Sequence, residues 1–111
     1  MSDEKFQNEI ETLDKFITNY CTKNHNNQKD ILIIKTYNNQ KYKIKTKLCS
    51  DCESILRYST QRLEECPHDI KPRCRKCPSP CYEKQQWKQL AKIMRYSGFQ
   101  LALNKIKNLI N

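Results

Sequence analysis

Glycine and long apolar stretches are both nearly absent from this sequence. The single glycine among the 111 residues, Gly98, excludes the glycine-rich loops that cradle nucleotide phosphates. The longest apolar run covers residues 31–34, far short of the roughly 18–20 residues that a membrane-spanning helix requires. Residues 1–5 do not have the pattern of an export signal. We therefore expect a cytoplasmic protein that makes no contact with a membrane.

Core-forming residues are also scarce, since hydrophobic residues make up 37% of the chain and the mean hydropathy is −0.94. Short domains of this kind gain stability from disulfides, metal ions or oligomerisation. Seven cysteines are available for the first two. Their odd number would leave one thiol outside a complete disulfide set, and the cytoplasm keeps thiols reduced. The cysteines are therefore predicted to bind metal.

The net charge of +9 is concentrated in residues 71–111, which contain ten basic side chains and a single acidic one, Glu83. Four aromatic residues lie among them, a composition typical of nucleic-acid-binding surfaces. The basic residues Lys84, Lys88, Lys92 and Arg95 recur at spacings of four and three. This spacing is equally typical of the solvated face of a helix.

The apolar periodicity predicts a mainly α-helical single domain over residues 1–111, with about four helices and an inserted β-hairpin. A helix is predicted over residues 4–21, and strands over 31–37 and 41–48 form the hairpin within an insertion at 26–47. A second helix over 51–65 begins with a capping box made by Ser50 and Glu53. Helices over 84–97 and 99–110 are separated by Gly98 in a left-handed C′ position. A Cys/Pro-rich metal-binding loop occupies residues 66–81.

Two C-x2-C pairs and three further cysteines can be grouped into metal sites in two ways. A C-x2-C pair suits metal because two thiolates on one turn reach adjacent corners of a tetrahedron. The preferred grouping joins four thiols that are close in sequence, namely Cys66, Cys74, Cys77 and Cys81. The cysteine-proline steps in this stretch are typical of iron–sulfur proteins, so an iron–sulfur cluster is preferred and zinc is the alternative.

That grouping leaves Cys21, His25, Cys49 and Cys52 for a second site. Cys21 and His25 are four residues apart and therefore share one face at the end of the first helix. The competing grouping is a zinc ribbon, in which Cys49 and Cys52 join Cys74 and Cys77. The ribbon would leave Cys21, Cys66 and Cys81 unused. His68 is expected to be a surface residue.

Five motifs, in order, cover most of residues 14–111. They are Tyr20-Cys21-x3-His25; Leu48-Cys49-x2-Cys52; Leu56-x-Tyr58-x3-Arg62-Leu63-x2-Cys66-Pro67; Lys71-Pro72-x-Cys74-x2-Cys77-x3-Cys81-Tyr82; and Met94-Arg95-Tyr96-Ser97-Gly98. In these motifs the chain resembles the nitrous-oxide-stimulated promoter family of small bacterial proteins. The resemblance implies a cytosolic protein linked to nitrogen oxides, without a defined reaction. The chain departs from the family through residues 26–47, which look like an insertion, and through Pro80, where relatives usually carry histidine.

Two functions are compatible with these patterns. The first is a metal–thiolate protein of the nitrosative or redox stress response, because nitric oxide attacks thiolate-bound iron and zinc. The second is a zinc-dependent nucleic-acid-binding module that uses the basic residues 71–111. An enzyme is not expected, since the C-x2-C pair Cys49/Cys52 is the only feature typical of an oxidoreductase. The sequence indicates neither a small-molecule substrate nor any other partner.

Overall fold

The structure is a computed structural model that describes residues 2–65 and 82–110. Along the chain it contains helix α1 (Asp3–Asn24), strand β1 (Lys29–Tyr37), strand β2 (Gln40–Leu48), helix α2 (Ser50–Glu64) and helix α3 (Lys84–Ile110). None of the helices in these two segments combines the length and apolar character that crossing a membrane would require.

Helix α1 forms where the apolar periodicity predicts it, and it extends to Asn24. Ser2 caps its start by accepting a hydrogen bond from the Lys5 N–H at 3.1 Å. Its end is marked by His25, whose backbone is extended and whose N–H still donates to the Cys21 carbonyl at 2.9 Å. The buried face consists of residues three and four apart: Phe6, Ile10, Leu13, Ile17 and Cys21. The cysteine therefore belongs to the apolar side of the helix.

The predicted hairpin is confirmed. Strands β1 and β2 are antiparallel, with Ile33 opposite Ile44, and two residues connect them. These residues, Asn38 and Asn39, have φ angles of 50° and 65°. Positive φ at both central positions is the geometry of a type I′ turn, which asparagine tolerates better than most residues and which matches the twist of the strands.

Helix α2 begins one residue earlier than the sequence predicts, and the predicted capping box is wrong. Cys49 is the N-cap, in an extended conformation and without a side-chain capping bond, while Ser50 is already helical. The helix starts here because β2 ends at Leu48, which leaves a single residue for the change of direction. The Glu53 carboxylate accepts from Arg57 at 2.8 Å rather than reaching back to the helix start. The Cys49 thiol is thus left free of any capping role.

Helix α3 is continuous from Lys84 to Ile110, so the predicted break at Gly98 is wrong and the described residues contain three helices instead of four. Gly98 does not have a positive φ. Its cost inside a helix is about 1 kcal/mol, too little to end a helix that is anchored by packing. The anchor is Ser97, which is fully buried and whose hydroxyl donates to the Phe16 carbonyl at 2.6 Å and accepts from Asn19 at 3.2 Å.

The core lies where α1 meets the three other parts of the fold. The inner face of the hairpin packs on α1 and α2, and α3 packs on α1. Ile33 and Leu48 of the hairpin and Leu56 of α2 are at most 1% exposed. Cys21 and Cys52 belong to the same buried cluster, at 0% exposure. The packing thus brings the end of α1 and the start of α2 together, and this is where the cysteines meet.

Candidate metal centre

Four residues from two helix ends form a compact group of metal-binding side chains. Cys21 lies in the last turn of α1 and His25 caps its end, whereas Cys49 caps α2 and Cys52 lies in its first turn. One ligand atom from each residue, three sulfurs and a ring nitrogen, lies within 4.8 Å of all the others. This group, called the Cys3His cluster below, could hold a metal ion.

The histidine ring lies between two of the sulfurs. His25 Nδ1 is 3.4 Å from the Cys49 Sγ and 3.4 Å from the Cys52 Sγ. The third sulfur is oriented by the backbone, because the Cys49 N–H donates to the Cys21 Sγ at 3.3 Å. The edge of the Tyr20 ring packs against the imidazole, with centroids 5.4 Å apart. All four ligand atoms therefore converge on one point without a disulfide among the three thiols.

Gln28, in the turn that follows α1, stabilises the cluster through hydrogen bonds. Its Nε2 donates to the His25 carbonyl at 2.8 Å and to the Cys21 carbonyl at 3.0 Å, and it lies 3.5 Å from the Cys21 Sγ. The contact is made possible by Asn27, whose φ of 64° turns the chain back towards α1. Gln28 belongs to none of the sequence motifs that predict metal ligands. The only signal that could have indicated it was its position directly after an asparagine-rich turn.

The electrostatics of the thiols differ from one residue to the next. Burial opposes ionisation of Cys49, but hydrogen bonds from the Cys52 backbone, the Cys21 thiol and the Asp51 backbone outweigh it and lower the Cys49 pKa. Burial raises the pKa of Cys52 far above its usual value, and the thiols of Cys49 and Cys21 raise it further. Three adjacent thiols cannot all ionise without a counter-charge, and a bound cation would provide one.

A cavity of about 430 Å³ opens beside the cluster. The side chains that line it include His25, Cys52, Tyr20, Ile55, Lys92 and Ile93. Cys21 and Cys52 are fully buried, whereas His25 and Cys49 are partly exposed. Small molecules therefore have a path to the cluster from the side of His25.

The remaining predicted ligands, Cys66, Cys74, Cys77 and Cys81, lie outside the described residues, as does His68. Their grouping into an iron–sulfur or zinc site stays a prediction. The structure does bring the pair Cys49/Cys52 together with Cys21 and His25. This is the second site of the preferred grouping, whereas the ribbon would have combined that pair with Cys74 and Cys77.

Comparison with known proteins agrees with the resemblance read from the motifs. The sequence profile described as "nitrous oxide-stimulated promoter" matches residues 4–109. The uncharacterized protein YgbA of Escherichia coli (strain K12) is 34% identical over 47 residues. That segment covers 41% of this chain and 40% of the E. coli protein. No solved structure matches the chain significantly.

Proposed function

This chain belongs to the nitrous oxide-stimulated promoter family, and from that premise we propose that it is a cytoplasmic metal–thiolate protein of the nitrosative stress response. In this proposal the Cys3His cluster holds one zinc ion. The observation that carries the proposal is the convergence of three thiols and one imidazole within 4.8 Å.

The spacing of the ligand atoms supports a single ion at this cluster rather than an iron–sulfur cluster. Zinc is bound tetrahedrally at about 2.3 Å from sulfur and 2.0–2.1 Å from nitrogen, which puts neighbouring ligand atoms roughly 3.5–3.8 Å apart. The two contacts from His25 Nδ1 to sulfur, at 3.4 Å, are close to this separation. An iron–sulfur cluster distributes its cysteines over several irons, which requires a wider arrangement. An iron–sulfur cluster therefore remains a prediction only for Cys66, Cys74, Cys77 and Cys81.

The arrangement of the ligands suits a role in nitrosative chemistry. A bound zinc ion keeps thiolates deprotonated, and thiolates are the form of cysteine that undergoes oxidation and S-nitrosylation. The cavity beside His25 admits a small diffusible molecule such as nitric oxide as far as the partly exposed imidazole, which lies next to the fully buried Cys52. Gln28 holds Cys21 and His25 in place through hydrogen bonds to their carbonyls.

Elemental analysis of the full chain, purified without oxygen, tests the metal assignment. We expect His25→Ala and Cys52→Ser each to lose about one equivalent of zinc relative to the wild type. His25→Cys restores a soft ligand and should keep the ion. Ser50→Ala, an exposed change between two ligands, is the matched control and should also keep it. Unchanged zinc in Cys52→Ser, or iron absorbance near 400 nm that disappears in Cys52→Ser, would contradict a zinc ion in this cluster.

Nitric oxide donors test the proposed role. We expect the zinc-loaded protein to release zinc when a donor is added, which a chromophoric chelator detects, and to show no release with the exhausted donor. If the donor neither releases the ion nor modifies Cys21, Cys49 or Cys52 by mass spectrometry, the role in nitrosative stress is wrong.

A second candidate function is nucleic-acid binding through the basic residues 71–111. The observation that favours it is that Lys84, Lys88, Lys92 and Arg95 are all exposed on α3. Phosphate contacts from such a stripe would supply affinity without sequence specificity. A salt-dependent gel shift that Lys84→Gln and Lys88→Gln weaken would support this candidate.

A further inference from the structure

The outer face of the hairpin carries a line of positive charge that the Cys3His cluster does not use. Four lysines occupy every second position of β2 and all are exposed: Lys41, Lys43, Lys45 and Lys47. Alternate residues of a strand point to the same face, so the four side chains form one row, called the lysine ladder below. The intervening positions, among them Ile44 and Leu48, belong to the buried face.

The lysine ladder has almost no counter-charge within the described part of the chain. Directly opposite it on β1 lie Thr36, Ile34, Leu32 and Asp30, in the order of the four lysines. Only Asp30 is acidic, and it lies 4.0 Å from the Lys47 ammonium with both side chains at least 75% exposed. An ion pair as open as this contributes little. No other ion pair among the described residues involves the ladder.

Protection of the sheet edge does not account for this pattern. Charged side chains do keep exposed strands from pairing with other chains. However, like charges in a row repel one another, and the same face leaves Leu32 and Ile34 about half exposed, at 49% and 53%. A face designed only for solubility would not combine a row of uncompensated ammonium groups with two exposed aliphatic side chains. The combination instead suits a polyanion that also presents apolar groups.

We propose that the lysine ladder binds the phosphate backbone of double-stranded DNA, with the hairpin lying in the major groove. At about 3.4 Å per residue the ammonium groups are spaced roughly 6.8 Å apart and the row is about 20 Å long, equal to about six base pairs. A two-stranded ribbon fits the major groove, which is about 12 Å wide, whereas the major groove of double-stranded RNA is too narrow. Leu32 and Ile34 would contact thymine methyl groups.

This surface differs from the basic stripe of α3. The lysine ladder lies on the hairpin, which packs on α1 and α2, whereas the basic stripe lies on α3, which packs on α1. The lysine ladder also acts independently of the metal assignment. An anionic membrane is a less suitable partner, because the charges follow a narrow line and only two aliphatic side chains are available to enter lipid.

Fluorescence anisotropy with a labelled 20-base-pair DNA duplex tests the proposal on the full, metal-loaded chain. Four phosphate contacts predict a slope of about −3.6 in log K against log salt, equal to a loss of about 150-fold between 50 and 200 mM salt. The variant with all four ladder lysines changed to Gln should lose this binding and its salt dependence. The control removes three exposed charges of α1 and should keep both: Lys5→Gln, Lys15→Gln and Lys23→Gln. The α3 variant, with Lys84, Lys88, Arg95 and Lys105 changed to Gln, tests the second candidate function, because it loses binding only if the basic stripe of α3 makes the phosphate contacts.

Two checks make the outcome decisive. All three variants should retain the circular dichroism and zinc content of the wild type, because every changed side chain is exposed. The proposal is overturned if the ladder variant binds the duplex as the wild type does, or if the α3 variant alone loses binding. It is equally overturned if vesicles containing phosphatidylserine, or an RNA duplex of the same length, bind more tightly than the DNA.

Discussion

Replacing Gly98 by Ala should stabilise the protein, because the residue lies inside a continuous helix. Alanine is favoured over glycine in a helix interior by about 0.5–1 kcal/mol. A Cβ atom added at this position would meet nothing within 4 Å, so no steric cost offsets the gain. For a chain of this length the increase corresponds to a Tm about 2–5 °C higher. The effect acts partly through the unfolded chain, which loses backbone freedom.

Urea denaturation at a fixed zinc concentration measures this difference, since a ligand that binds only the folded state adds to the apparent stability. Ala91→Gly, the reverse change in the first half of α3, calibrates the scale and should cost about 1 kcal/mol. If Gly98→Ala instead destabilised the protein by about 1 kcal/mol or more, the residue would have to adopt a positive φ. The helix would then end there, as the sequence predicts, and the continuous α3 would be wrong.

Two further pairs of substitutions test the hairpin and the core. Asn39→Gly should stabilise the protein by roughly 0.5–1 kcal/mol, and Asn39→Val should destabilise it by about 1–2 kcal/mol, because φ is 65° at this turn position. Thermal melts of the two variants measure the difference. Equal Tm values would contradict the type I′ turn. Leu56→Ala should cost about 2–5 kcal/mol because the side chain is 0% exposed, whereas Leu32→Ala, half exposed on the outer face, should change stability by less than about 0.5 kcal/mol. Similar costs in urea denaturation for the two leucines would refute the assignment of the inner and outer faces.

The sequence predicts correctly the elements that depend on local patterns. Helix α1 follows from apolar residues at spacings of three and four, and the hairpin follows from two strands joined by asparagines. In both cases the signal lies within a few residues of the structure it produces. The proximity of Cys21 and His25 is likewise local, because they are four residues apart and the His25 N–H still donates to the Cys21 carbonyl at the end of α1.

The errors arose where packing decides between local alternatives. The sequence predicts a helix end at Gly98 because glycine favours left-handed conformations. The neighbouring Ser97, however, forms hydrogen bonds with Phe16 and Asn19 of α1, and these bonds keep α3 continuous. Because serine is a good capping residue, the sequence predicts Ser50 as the N-cap of α2. The actual N-cap, Cys49, is set by the end of β2, which depends on the register of strands that a local pattern does not contain.

The hydrogen bonds that Gln28 makes to the Cys3His cluster could not be predicted from the sequence. Gln28 contacts Cys21 and His25 only because the chain reverses at Asn27, and nothing in the type of residue 28 indicates a structural role. Amides form hydrogen bonds in any surrounding that offers a carbonyl. Their partners are therefore known only once the path of the backbone is known.

The hairpin leaves the helical part of the fold and returns to it at almost the same point. β1 starts four residues after His25, and β2 ends at Leu48, immediately before Cys49. A bond between His25 and Cys49 would close a loop of 24 residues, which would stabilise the fold by about 3.4 kcal/mol if it acted like a disulfide. Insertions or deletions at the Asn38–Asn39 turn, roughly 30 Å along the strands from that junction, would leave its geometry untouched. The turn should consequently tolerate the insertion of a foreign peptide, which the hairpin would then display.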